Sequence, residues 1–186
     1  MLCIIISQAE VSLYVPYVVF KGGILMKKAF FGFIFFIVSL FAYAQEFNVQ
    51  WLNNMSSYLG KTVRDIPDTY KQEFNDKSTY SRELANGIGE GFNVSKTNVI
   101  NGIFWVKKSN SRSFLYSEFD KLINILKNYL GDPLAEEDDN VTWNWQSKPL
   151  MVAIGEGQVV VSAITPDFLG LTQDNWDEIV KEHSRK

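Results

Sequence analysis

"VTWNWQSKPLMVAIGEGQVVVSAIT", from Val141 to Thr165, reads as three strands in succession. The runs 141–145, 150–154 and 159–165 are rich in β-branched and aromatic residues and too short for surface helices. The last two flank Gly155-Glu156-Gly157, a hairpin turn signal, because glycine reaches positive φ without a Cβ clash. Trp143 and Trp145 stand two apart, so on a strand their indoles share one face. Tight turns between neighbouring runs require antiparallel pairing.

Helices bracket this sheet. Phe119, Leu122, Ile123, Leu126, Tyr129 and Leu130 form one apolar stripe, with Gly131 and Pro133 to end it. Ser117 and Asp120 fit a capping box at its start. Downstream, Trp176, Ile179, Val180 and His183 make a second stripe after Asp174. Upstream, Val99 to Lys108 is strand-like and ends in Ser109-Asn110-Ser111, with "GFNVS" (91–95) as its hairpin partner. Phe47, Trp51, Leu52, Met55, Tyr58 and Leu59 recur at helical spacing before Gly60. Between them, Ile66-Pro67 opens a short helix with Tyr70 and Phe74 on one face, and "NDKSTYS" (75–81) reads as loop. The expected fold is α+β, an antiparallel sheet with helices packed on one face.

Two strings recur in the same order. "YLG" occurs at 58–60 and 129–131, and "IGEG" at 88–91 and 154–157. Two tandem helix-plus-sheet units would produce this pattern. Chance recurrence of short glycine-containing strings is the competing explanation.

The N-terminal region carries an export signal. Met26-Lys27-Lys28 supplies a positive start, Ala29 to Phe41 an uncharged apolar run, and Ala42-Tyr43-Ala44 a small-x-small cleavage pattern. Cleavage between Ala44 and Gln45 is expected. The uncharged run from Ala29 to Ala44 is shorter than the roughly 20 residues that span a bilayer, so no stable membrane anchor is expected. Lys21-Gly-Gly23 can be encoded AAA-GGA-GGA, a purine-rich bacterial ribosome-binding sequence ahead of Met26. Residues 1–25 are therefore read as untranslated leader, with a translated hydrophobic extension (Leu2 to Ile6 and Val15 to Phe20 are apolar) as the rival reading, and 45–186 as a single domain, with a bacterial source.

Composition removes several mechanisms. Taking Lys21, Lys27 and Lys28 from 18 basic residues and Glu10 from 21 acidic ones leaves 15 and 20, a net charge of −5. An acidic domain is a poor match for nucleic acid or an anionic membrane. The single cysteine, Cys3, lies in the leader, so the domain has no thiolate nucleophile, disulfide or cysteine metal site. The single histidine, His183, is near the C-terminus, which leaves zinc and Ser-His-Asp sites without ligands or base. Asn86-Gly-Ile-Gly-Glu-Gly91 lacks the Lys-Ser/Thr of a phosphate loop. On a strand its alternate glycines instead make room for a ring or helix. Glu136-Glu137-Asp138-Asp139 lacks the alternating ligands and central glycine of a calcium loop and reads as solvated. No cofactor is expected.

The order of helix, "LGDP", acidic loop, "WNW" and terminal hairpin over residues 119–165 resembles the β-lactamase-inhibitor-protein-like and small outer-membrane-assembly lipoprotein families. The resemblance implies a helix-plus-sheet module that binds other proteins and does not catalyse. The assembly lipoproteins carry a lipidated cysteine that this chain lacks. The expected function is thus non-catalytic binding of an exported or envelope protein, in the periplasm or outside the cell. Trp143 and Trp145 are the candidate contact residues. A small hydrolase using paired carboxylates on cell-wall glycan is the alternative.

Overall fold

The structure, a computed structural model, describes residues 46–183. The Ala44–Gln45 junction and the segments before it lie outside the described residues. Eight strands form one antiparallel sheet: β1 (Lys71–Gln72), β2 (Thr79–Glu83), β3 (Ile88–Val94), β4 (Ile100–Lys108), β5 (Ala135–Glu136), β6 (Asn140–Trp145), β7 (Lys148–Gly155) and β8 (Gln158–Ile164). Their spatial order is β1-β2-β3-β4-β8-β7-β6-β5. Helices α1 (Val49–Ser56) and α2 (Arg112–Leu130) each precede four strands, and α3 (Gln173–His183) ends the described chain.

The architecture is α+β, built from one plan used twice: a helix followed by a four-strand meander. The halves meet where β4 pairs with β8, from Gly102↔Ile164 to Lys108↔Gln158. "YLG" ends on a glycine at φ 84° in both halves, but Gly60 closes the turn that follows α1 whereas Gly131 caps α2 directly. "IGEG" does not. Its first copy opens β3, while its second ends β7 and forms the turn into β8.

One face of the sheet carries the core. Ile103, Trp105, Leu150, Val152, Val159 and Val161 alternate onto it and meet Leu52 and Met55 of α1 and Leu115, Phe119, Leu122, Ile123 and Leu126 of α2. The apolar stripe of α2 starts one turn earlier than Phe119, at Leu115, and the helix follows it. Ser111 is the true N-cap, accepting from Phe114 N at 3.3 Å, so the Ser117 capping box is not used. The C-terminal helix is tied elsewhere. Trp176 Nε1 donates to Asn144 Oδ1 at 3.1 Å, and Asn144 alternates away from the core between Trp143 and Trp145. Among the described residues, no helix is long and apolar enough to cross a membrane.

The segment after Gly60 departs from expectation. A 3-10 turn spans Val63–Asp65, closed by Thr62 N and Oγ1 donating to Asp65 Oδ2, both at 2.9 Å. A turn at Asp68–Thr69, closed by Tyr70 N donating to Pro67 O at 3.0 Å, then leads into β1. Pro67 keeps Ile66 out of the α region (φ −70°, ψ 126°), so the expected helix there does not form. Tyr70 turns into the core, and Phe74, expected on the same face, is 97% exposed.

Candidate functional site

Trp143 and Trp145 are core residues, 1% and 4% exposed. Trp143 Nε1 donates to Gly131 O at 3.1 Å, which satisfies the indole and ties β6 to the end of α2. Their shared strand face, read correctly from the spacing, is the inward one. That leaves neither ring available for a surface contact and corrects the expectation that they bind a partner.

The glycines at 89 and 91 lie on β3 and point away from the core. A Cβ on Gly91 would stand 2.6 Å from Phe104 Cζ and collide with the Tyr80 carbonyl, so the ring of Phe104 lies over bare backbone. Gly87 differs: it sits in the turn before β3, at φ 71°. The acidic run is partly neutralised, with Lys127 Nζ 2.9 Å from Glu136 Oε2. No cluster of three His, Cys, Asp or Glu side chains converges among the described residues.

Sequence reasoning missed the one buried acid among the described residues, Glu90, 4% exposed on the core face. Its Oε1 accepts from Tyr70 Oη at 2.6 Å and Arg82 Nε at 2.8 Å, with Arg82 Nη2 at 2.6 Å, and its Oε2 accepts from Trp51 Nε1 at 2.6 Å. Burial pushes the Tyr70 hydroxyl well above its ordinary range, and the hydrogen bond and charge of Glu90 push it further. Three separate pieces, α1, the strand lead-in at Tyr70 and β2, are thus fastened to one carboxylate. General acid or nucleophilic work needs an oxygen turned toward substrate. Both oxygens of Glu90 already accept from protein donors, so the group is a brace. The signal available in the sequence was its glycine-flanked position, Gly89-Glu90-Gly91, which says nothing about depth.

The other half of the chain shows that the fold does not require this polar group. Superposing the two meanders about the middle of the β4–β8 pairing places Glu90 on Val152. A shift of two residues places it on Leu150 or Ile154 instead. Every option is aliphatic, and Val152 and Leu150 are fully buried.

The outer face is the remaining large feature. Paired residues run across it as Ser81, Gly91, Phe104, Ser162, Met151 and Thr142. The next row is Glu83, Gly89, Val106, Val160, Ala153 and Asn140. Only Glu83, near the rim, carries charge. Phe104, Met151, Val160 and Ala153 are half-buried. α3 closes one end of this face through Trp176, and α1 and α2 lie on the opposite side. The sheet edges are short, since β1 and β5 are two residues each, so little backbone is offered for strand addition.

Compared with known proteins, the chain matches no family model, no curated protein and no solved structure.

Proposed function

We propose that this chain is an exported, non-catalytic module that binds another protein of the same compartment through the outer face of its sheet. One observation carries the reading: two rows of uncharged, mostly small or apolar side chains cross the central strands opposite the core. Apolar surface contiguous over several strands is characteristic of contact sites. Blunt edges disfavour an added strand, and the negative net charge disfavours nucleic acid. The resemblance of residues 119–165 to protein-binding modules points the same way, and the Met26–Ala44 signal pattern supports export.

A photo-reactive residue in place of Val160, in cells that produce the protein, should give one discrete protein adduct. One in place of exposed Glu137 should not. Intact mass of the protein recovered from those cells should place its N-terminus at Gln45. The carboxylate-hydrolase alternative has a direct test: release of reducing ends from cell-wall glycan by the purified protein would replace the binding reading.

A further inference from the structure

The outer face has a third row, and it is the covered one. Gly102 pairs with Ile164, and Asn144 with Pro149, which lies one position beyond the Leu150↔Ala163 pair and so beside Ile164. Ile164 follows Ala163 of the core, so its side chain stands on the outer side. Gly102, Ile164 (3% exposed) and Pro149 are buried, whereas Phe104, Met151, Val160 and Ala153 of the open rows are half-buried. Trp176, 4% exposed, is bonded to this row at Asn144, and Gln173 Nε2 donates to Ser147 O at 3.0 Å. The occupant of the row is thus the chain's own helix, α3.

That helix is weakly held. None of its side chains belongs to the core beneath α1 and α2; Trp176 is its one buried residue, and Ile179 and Val180 are half-buried. Its 11 residues fall short of the roughly 12–15 at which an isolated helix becomes even marginal in water. Carboxylates stand four apart on its exposed side, Asp174 with Glu178 and Glu178 with Glu182, an unfavourable spacing that Lys181 offsets in part. The chain before it is fixed, since Thr165 N and Oγ1 donate to Asn101 O at 2.8 and 3.1 Å. A short 3-10 turn (Pro166–Leu169) and Gly170, at φ 72°, connect that anchor to the helix. Segments with few buried apolar contacts are the ones that open while the rest of a protein stays folded.

We propose that α3 is a displaceable cover: it masks the Ile164–Pro149 row in the free protein, and its release joins that row to the two open ones when the partner docks. The masking role rests on the protein-binding reading above. Closed, the helix keeps the contiguous apolar surface of the free chain small. Open, it lengthens the contact face by one row, and the population of the open form sets the apparent affinity.

Thiol labelling measures the opening. Residues 46–183 contain no cysteine, so in the full chain carrying Cys3→Ser one introduced thiol is the reporter. Ile164→Cys should react about 100-fold faster than Val161→Cys, which lies on the core face and reacts only when the sheet unfolds. Adding Trp176→Ala should speed labelling at 164 about tenfold and at 161 by no more than about twofold. Equal rates at the two positions, or equal acceleration, overturn the proposal, because α3 then opens only with the sheet. Masking is read from the photo-reactive residue at 160 in the producing cells, where Trp176→Ala should raise the yield of the protein adduct about threefold. An unchanged or lower yield overturns the masking role alone. No adduct from 160 in either chain overturns the protein-binding reading and the masking role together, whatever the thiol rates.

Discussion

Glu90 shows how one side chain replaces a stretch of helix. In the second half α2 runs for 19 residues over the sheet, whereas α1 has 8 and is followed by a segment of short turns that carries Tyr70. That segment brings Val63, Ile66 and Tyr70 to the core, and Glu90 holds Trp51, Tyr70 and Arg82 together. Glu90→Gln removes the charge and leaves buried donors competing for one carbonyl oxygen, so it should cost ~3 kcal/mol. Urea unfolding followed by tryptophan fluorescence measures this directly. A loss under 1 kcal/mol would mean the network contributes little. Tyr70 gives a pH signature. Its folded-state pKa is raised above the ordinary value of 10.0, so the stability it contributes is complete below pH 10 and is lost as pH rises beyond that. The difference in urea midpoint between the wild-type protein and Tyr70→Phe should therefore shrink between pH 9 and pH 11. A constant difference would contradict the assignment.

Helix limits separate what spacing reveals from what it conceals. The stripe from Phe119 to Leu130 was legible because its residues repeat at helical intervals. Its beginning was not, because Ser111 and Ser117 are both plausible caps and only tertiary contact shows that Leu115 is buried. Ser111→Ala should destabilise the protein by about 1 kcal/mol. Ser117→Ala, at an exposed mid-helix position, should be neutral or stabilising by a few tenths of a kcal/mol. Thermal melts of the two variants distinguish the caps, and the reverse order would restore the shorter helix. β4, β6, β7 and β8 were visible as β-branched and aromatic runs. β1 and β5 were not, since two residues have no periodicity. The aromatic turn was misread for a related reason: Tyr70 and Phe74 are four apart, which mimics a helical face, while the bonds at Pro67 and Asp76 impose two separate turns.

At the scale of the molecule, the sheet is strongest in the middle and weakest at both margins. β3, β4, β8 and β7 are paired on both sides, while β1 and β5 are each held by two residue pairs on one side. Amide hydrogen exchange should be slowest around Ile103, Trp105 and Val161 and fastest at Lys71–Gln72 and Ala135–Glu136. Equal protection across the sheet would mean that it opens only as a whole. The doubled plan was half legible. "YLG" tracks a backbone requirement, positive φ at its glycine after the helix of each half, although the first copy stands a turn beyond α1 and the second ends α2. "IGEG" is a strand start in one place and a turn in the other, so its recurrence carries no structural meaning. The candidate site was the least legible part, because a tryptophan pair on one strand face looks the same whether that face is turned inward or outward.

The β4–β8 seam has a practical consequence. Each half ends on the strand that the other half needs, so either half alone would carry a bare, full-length, largely apolar edge. The chain is therefore a natural split protein. Fragments divided at Asn110 should be insoluble or self-pairing when made separately, yet reassemble into one soluble complex when produced together. Each fragment could carry half of a reporter whose signal records the reunion.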